Sequence, residues 1–373
     1  MRAASDVNSN RHSFLSNLRI AAMTSLTGIL VISAAVSCGL GHGPSGSDTD
    51  RKGNLHRAAP DRDVEAAIDS FVRATVEFPR EPEHINVHSI MLLKHGKVIA
   101  ERWLNGAAPE VPHIMHSVSK TFVSAATGMA VAEGLLTIDD RIVDIFPDKL
   151  PESPSENLQA MTVRDLLTMT CGQSREASSV REGDDDWVEG FLAAGVEHEP
   201  GTYFAYNSLG TYVVSAILQK LSGEKVVDYL EPRLFAPLGI EKPQWEESPQ
   251  GINCGGWGLW LKTEDMAKMG QLLLNGGCWN SEQLIPEDWV GEMMKKQVPT
   301  DRPYDKRADW TAGYGYFMWM CSPGGARADG SDGQYIMVLP DYDAVIVLTS
   351  DSTLYQPYVD LVWRYILPAI IQY

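Results

Sequence analysis

The chain has 373 residues, 44% of them hydrophobic and 21% charged, the composition of a globular protein with room for one large domain or two intimate ones. A formal net charge of −18 offers no basic face for a phosphate backbone, so nucleic acid is excluded as an expected partner. The five cysteines, Cys38, Cys171, Cys254, Cys278 and Cys321, include no C-x-x-C pair and no His/Cys cluster with ligand spacing, so neither a metal nor another cofactor is expected.

Arg2, Arg11 and Arg19 precede an apolar run from Ile20 to Val36, and Ser37-Cys38-Gly39 follows. Basic residues, an apolar stretch and small residues at a cut describe a signal peptide over 1–38. Ala35-Val36-Ser37-Cys38 also resembles a bacterial lipobox, with Ala35 where Leu is usual. Lipidation of Cys38, simple cleavage and a retained single anchor are all compatible with this run. Each places the protein in the cell envelope or outside the cell, with membrane attachment only through the N-terminus. If Cys38 is lipidated, the other four cysteines allow up to two disulfides, and their apolar or Gly-rich surroundings suit buried free thiols at least as well.

Residues 39–62 are rich in Gly, Ser, Asp and Pro and read as a linker. Val64, Ile68, Phe71, Val72 and Val76 have helical spacing, which predicts a helix over 63–78. Two strand-like runs, 87–93 and 97–103, flank His95-Gly96 and predict a hairpin. His84, His88 and His95 match no common ligand spacing and read as surface or turn residues.

The stretch from His116 to Ala126 reads as a polar turn entering an amphipathic helix that runs to about Glu133, with Gly134 as its stop. Ser117 and Lys120 are three residues apart, so a helix brings them to one face. An amine there can take the hydroxyl proton if burial or a neighbouring cation lowers its pKa, which is the chemistry of the S-x-x-K motif. Ser222-Gly223-Glu224-Lys225 has the same spacing, but it falls where a helix ends and Gly223 reads as the cap.

Further on, Asp139 and Asp140 read as turn and cap residues, Thr162 and Asp165 as a capping box, and Asp184 to Asp186 as a solvated loop before a short helix at Trp187. An aromatic-rich turn, 200–207, delivers Tyr206 to the start of a helix that runs to Leu221, where packing is the role its local sequence favours. The Gly-rich run 251–258 lacks the G-x-G-x-x-G spacing of a dinucleotide site. A capped helix over 263–274 follows. The runs 313–320, 334–339 and 344–350 suggest three strands of a meander, and 357–367 a closing helix. Strands and a helix at both ends, with helices between, predict an α+β domain over 63–373: an antiparallel sheet flanked by helices, with a mostly helical insertion at about 136–255.

From about Ile85 onward the order and spacing of several segments resemble the serine β-lactamase/penicillin-binding-protein superfamily, and within it the class C-like esterases, D-aminopeptidases and 6-aminohexanoate-dimer hydrolases. The carriers are Met115-His116-Ser117-Val118-Ser119-Lys120, the segments 134–140 and 166–172, Pro200 to Ser208, and Asp329-Gly330-Ser331-Asp332-Gly333-Gln334. The resemblance implies that Ser117 is the acylated nucleophile, Lys120 its partner in proton transfer, and Tyr206 the tyrosine of a Tyr-x-Asn motif. It also implies an oxyanion hole from the N–H groups of Ser117 and Ser331. A phenol is normally too weak an acid for the role implied for Tyr206, and a nearby ammonium is expected to lower its pKa.

Two departures bear on the substrate. Ser208 stands where Asn is common, and the Lys-Thr/Ser-Gly triplet is replaced by Ala328-Asp329-Gly330. The cation that would hold a substrate carboxylate is therefore missing, Arg327 is expected on the opposite strand face, and Asp329 would repel a carboxylate. Ser208, Asp329, Gly330 and Ser331 are the expected substrate-binding residues. The resulting expectation is a serine hydrolase acting on a neutral or cationic small-molecule ester or amide through an acyl-enzyme. The alternative is a penicillin-binding or sensor-like envelope protein that acylates with little turnover. A binding module that keeps only the fold is a third reading, and the intact Ser117, Lys120 and Tyr206 argue against it.

Overall fold

The computed structural model describes residues 49–50, 53–78, 82–183, 185–300 and 307–373. The expected leader over 1–38 and the first part of the linker lie outside the described residues. Helix α1 (Arg62–Val76) starts where Asp61 accepts from the N–H groups of Asp63 and Val64, and it buries Val64, Ile68 and Phe71. Strands β1 (Ile85–Lys94) and β2 (Lys97–Trp103) form the expected hairpin. His95 and Gly96 both take left-handed backbone angles, φ 52° and 70°, the pair a two-residue turn of this twist requires.

A short strand, β3 (His113–Ile114), leads through a 3₁₀ turn at His116–Val118 into α2 (Ser119–Ala132). The helical middle follows: α3 (Ile142–Ile145), α4 (Glu156–Ala160), α5 (Val163–Leu167), α6 (Trp187–Ala193), α7 (Ser208–Ser222) and α8 (Val226–Leu230). Strand β4 (Trp260–Leu261) pairs antiparallel with β3, and α9 (Thr263–Leu274) returns the chain to the sheet. After a small hairpin of β5 (Cys278–Trp279) and β6 (Glu282–Gln283) come α10 (Glu287–Met293), α11 (Ala308–Thr311), β7 (Trp319–Met320), β8 (Ala326–Gly330), β9 (Gln334–Leu339), β10 (Ala344–Ser352), α12 (Tyr355–Leu361) and α13 (Leu367–Gln372).

Six strands form one antiparallel sheet in the order β2-β1-β10-β9-β8-β7. Side chains alternate across it, as strand geometry dictates. Ile90, Leu92, Met337, Ile346 and Leu348 join one core with α1, α12 and α13. Met91, Leu93, Ile336, Val345 and Val347 join the other, with α2, α7 and α9. The α+β class and its antiparallel sheet are as the sequence predicts.

Several local expectations differ. Only Trp319 and Met320 of the aromatic run 313–320 are in a strand; Gly313 (φ 130°) and Phe317 (φ 57°) turn the backbone out of extended geometry, and β8 is the strand beside β9. Helix α2 is not amphipathic: Ser119 to Ala130 are all buried, because α7, α8 and α10 pack around it. The end of the expected linker is seated on the domain. Leu55 is buried, Ala58 N–H donates to Val98 O at 2.8 Å, and Arg57 pairs with Glu101 and Glu264 at 2.9 and 2.8 Å. Asp186 caps α6 and accepts from Lys149 at 2.6 Å instead of lying in a solvated loop. The closing helix runs on through a π turn at Val362–Ile366 to α13, where Pro368 has no N–H to give the helix. Cys171, Cys254 and Cys321 are free and buried.

Candidate active site

Three segments distant in sequence converge on Ser117. The first is its own turn. Ser119 Oγ donates to His116 O at 2.6 Å and Met115 N–H to Leu259 O at 2.8 Å, so the turn is held from within and by the chain leading into β4. The second is the start of α7, where Asn207 caps the helix by accepting from Gly210 N–H at 2.9 Å. The third is β8. A Cβ at Gly330 would lie 2.4 Å from Met115 O, so only glycine lets this strand approach the Ser117 turn so closely.

Lys120 lies one helical turn beyond Ser117 and is 1% exposed. Its Nζ donates to Ser117 Oγ at 2.9 Å, Ser208 Oγ at 3.1 Å and Gly256 O at 2.7 Å. Burial lowers its pKa to about 7; Glu176 and Asp329 pull it upward and Arg181 pulls it down. Nζ also sits 4.8 Å from the centroid of the Tyr206 ring, and the Tyr206 phenol and Ser117 line the same cavity. Ser117 thus lies between an amine and a phenol.

The expected lowering of the Tyr206 pKa does not occur. Burial pushes the phenol well above its ordinary value, the neighbouring Ser117 hydroxyl opposes this, and Asp329 and Glu176 add to the rise. Burial disfavours the charged form of both partners, so the pair that suits this site near neutral pH is a neutral amine and a neutral phenol. Tyr206 also packs, stacked on Trp319 at 5.8 Å between ring centroids and edge-on to Tyr314 at 6.2 Å.

Ser117, Tyr206, Asp329 and Ser331 line one open cavity of about 220 Å³ with Arg307, Trp310, Trp319 and Tyr355. Lys120 and Ser208 adjoin Ser117 through the hydrogen bonds above, and Gly330 is the close-packed residue under the turn. Arg327 does lie on the face opposite Ala328, and it shares that face with Asp329. Its Nε donates to Asp329 Oδ2 at 2.9 Å, and the guanidinium is fully buried, 4.6 Å from the Trp310 ring centroid. The acid therefore meets the cavity with its charge matched from beneath, and its expected repulsion of a carboxylate is correspondingly weakened.

Three participants escape a reading of the sequence. Gly256 supplies the carbonyl under Lys120, yet its Gly-rich run has no motif of its own. A Cβ there would lie 2.7 Å from Ser208 O, so the run passes too close to α7 for any side chain. Glu176 accepts from Ser208 N–H at 2.6 Å and pairs with Arg181 at 2.9 Å. Neither charge belongs to a recognisable spacing; the fold alone brings them to α7. The second Ser-x-x-Lys is ordinary structure. Gly223 caps α7 at φ 77°, Ser222 Oγ donates to Leu218 O at 2.7 Å, and Lys225 pairs with Glu247 at 2.7 Å.

An antiparallel sheet with helices on both faces, and a serine and buried lysine at the start of a central helix, define a β-lactamase-like fold. The chain belongs to the Beta-lactamase family, whose model matches residues 71–370. It is 23% identical over 306 residues to 6-aminohexanoate-dimer hydrolase of Paenarthrobacter ureafaciens, covering 76% of this chain and 77% of that protein. It is 23% identical over 273 residues to penicillin-binding protein 4 of Amycolatopsis lactamdurans, covering 63% and 71%. Among solved structures, EstCE1, described as a hydrolase with promiscuous acyltransferase activity, superposes with a TM-score of 0.67 at 15% identity, over 83% of this chain and 99% of that one.

Proposed function

We propose that the chain is a serine hydrolase that cleaves an ester or amide through an acyl-enzyme on Ser117. The observation that carries this reading is the Lys120 amine, buried, hydrogen-bonded to Ser117 Oγ at 2.9 Å and brought to about 7. In its neutral form the amine takes the Ser117 proton as Oγ attacks the substrate carbonyl. The N–H groups of Ser117 and Ser331 stabilise the oxyanion that forms. Tyr206, a neutral phenol, gives its proton to the leaving alcohol or amine and takes one back from the Lys120 ammonium, so the pair ends as neutral amine and neutral phenol. Ser208 accepts from Lys120 and holds it in place. Departure of the leaving group gives the acyl-enzyme. Water, deprotonated by the same pair, then releases the acid and restores the Ser117 hydroxyl.

The cavity supports a small neutral acyl group. Tyr206, Trp310, Trp319 and Tyr355 give it apolar walls, and the Asp329 charge is matched by Arg327. Similarity to a relative named a hydrolase agrees with this class of reaction. Similarity to a penicillin-binding protein favours the second reading, slow acylation with little turnover. Full-length protein and Ser117→Ala with a short-chain p-nitrophenyl ester separate the two. Sustained release of nitrophenol by the wild type alone supports the hydrolase. One equivalent followed by a stop supports the slow acylator. Equal rates in both proteins contradict both readings.

A further inference from the structure

Lys120 is enclosed by a closed circuit of contacts that begins and ends on its own amine. Nζ donates to Ser208 Oγ at 3.1 Å. The backbone N–H of Ser208 donates to Glu176 Oε2 at 2.6 Å, at the first turn of α7, where a carboxylate also complements the helix dipole. Glu176 Oε1 pairs with Arg181 Nη2 at 2.9 Å. The Arg181 guanidinium lies 4.7 Å from the ring centroid of Trp257. Trp257 follows Gly256, whose carbonyl accepts from Lys120 Nζ at 2.7 Å.

We infer that Glu176 and Arg181 are positioning residues for the Lys120 amine: the carboxylate holds Ser208 and the guanidinium holds the 256–257 turn, while their opposite charges act on the amine in opposite directions. This inference rests on the proposed role of Lys120, but not on turnover being observed. The charged and titratable groups facing Lys120 are Glu176 and Arg181 from the segment between α5 and α6, Asp329 from β8, and Tyr206 ahead of α7. Asp329 already has Arg327 as its counterion, so the Glu176–Arg181 pair is the adjustable part of this field. The same carboxylate that anchors Ser208 favours the ammonium. Arg181 disfavours it and keeps the carboxylate from overprotonating the base.

The test uses full-length protein with ¹³C-labelled lysine. The Lys120 signal is assigned by its loss in Lys120→Met, and its titration is followed in wild type, Glu176→Gln and Arg181→Gln. The glutamine at 176 keeps an acceptor for Ser208 N–H while removing the charge and the oxygen that pairs with Arg181. Glu176→Gln is expected to move the Lys120 midpoint down and Arg181→Gln to move it up, each on the order of half a unit. The acid limb of p-nitrophenyl ester turnover should move with it, whereas loss of structure alone would lower the rate at every pH. Midpoints unchanged by either substitution, or moved in the same direction by both, overturn the inference. Opposed midpoint shifts without Ser117-dependent turnover would uphold it while removing the hydrolase reading.

Discussion

Lys120 and Lys225 each follow a serine by three residues, yet one stands at the beginning of a central helix and the other just past the end of one. Lys120 has almost no contact with water, and its three hydrogen-bond acceptors are a hydroxyl on either side and a backbone carbonyl. The Lys225 side chain is 37% exposed and is satisfied by Glu247. Ser222 is occupied by its own helix, whereas Ser117 opens onto a cavity. Spacing sets which side chains share a face; desolvation decides whether the amine there is a base or a solvated cation.

The comparison is broken most severely by exchanging the two serines' fates. Ser117→Ala should reduce p-nitrophenyl ester turnover on the order of 10³-fold or more, while Ser222→Ala should leave it within about twofold. Similar losses in both variants would show that the first site is not special. Lys120→Met should cost on the order of 10²- to 10⁴-fold in kcat, and Lys225→Met little beyond the scatter of surface substitutions.

The next effect is on pH. The amine must be neutral to accept a proton, so turnover should fall about tenfold per unit as pH drops below about 7. Stability carries the same signature with a definite sign. The folded value of Lys120 lies below the unfolded value of 10.5, so between these limits the unfolded chain binds more protons than the folded one. This one group should therefore add stability as pH rises from about 7 toward 10.5, with a slope of at most about 1.4 kcal/mol per unit. Denaturant titrations across that range should show the slope in wild type and its loss in Lys120→Met.

The smallest expected effect is steric. Gly330→Ala places a methyl against Met115 O and should push β8 away from the Ser117 turn, destabilising by about 1–3 kcal/mol and lowering kcat more than it raises KM. Thermal melts and initial rates on the same preparation would check both halves of that expectation.

The parts of the molecule legible in the sequence are those that local patterns control. The β1–β2 turn, the caps of α5 and α7, and the Gly134 stop each follow from a few neighbouring residues. Ser117, Lys120 and Tyr206 could be named because motif order places them together. The illegible parts depend on long-range packing. Nothing near Gly256 announces that its carbonyl faces an amine 136 residues earlier in the chain. Nothing near Glu176 announces that it will sit at the start of α7, 32 residues on. The direction of the Tyr206 shift was hidden for the same reason. A neighbouring cation favours the phenolate, but how deeply both groups are buried is a property of the finished fold. Arg327 shows the converse: strand alternation gives its face correctly, and the ion pair with Asp329 follows from that alternation once the strand is placed.

The central claim is that Ser117 is acylated, and intact-mass and peptide mass spectrometry of full-length protein quenched during turnover of p-nitrophenyl acetate tests it most directly. The account predicts one acetyl group, on the peptide that contains Ser117, present in wild type and absent from Ser117→Ala. Turnover without an adduct on that peptide, or an adduct on another residue that persists in Ser117→Ala, would contradict it.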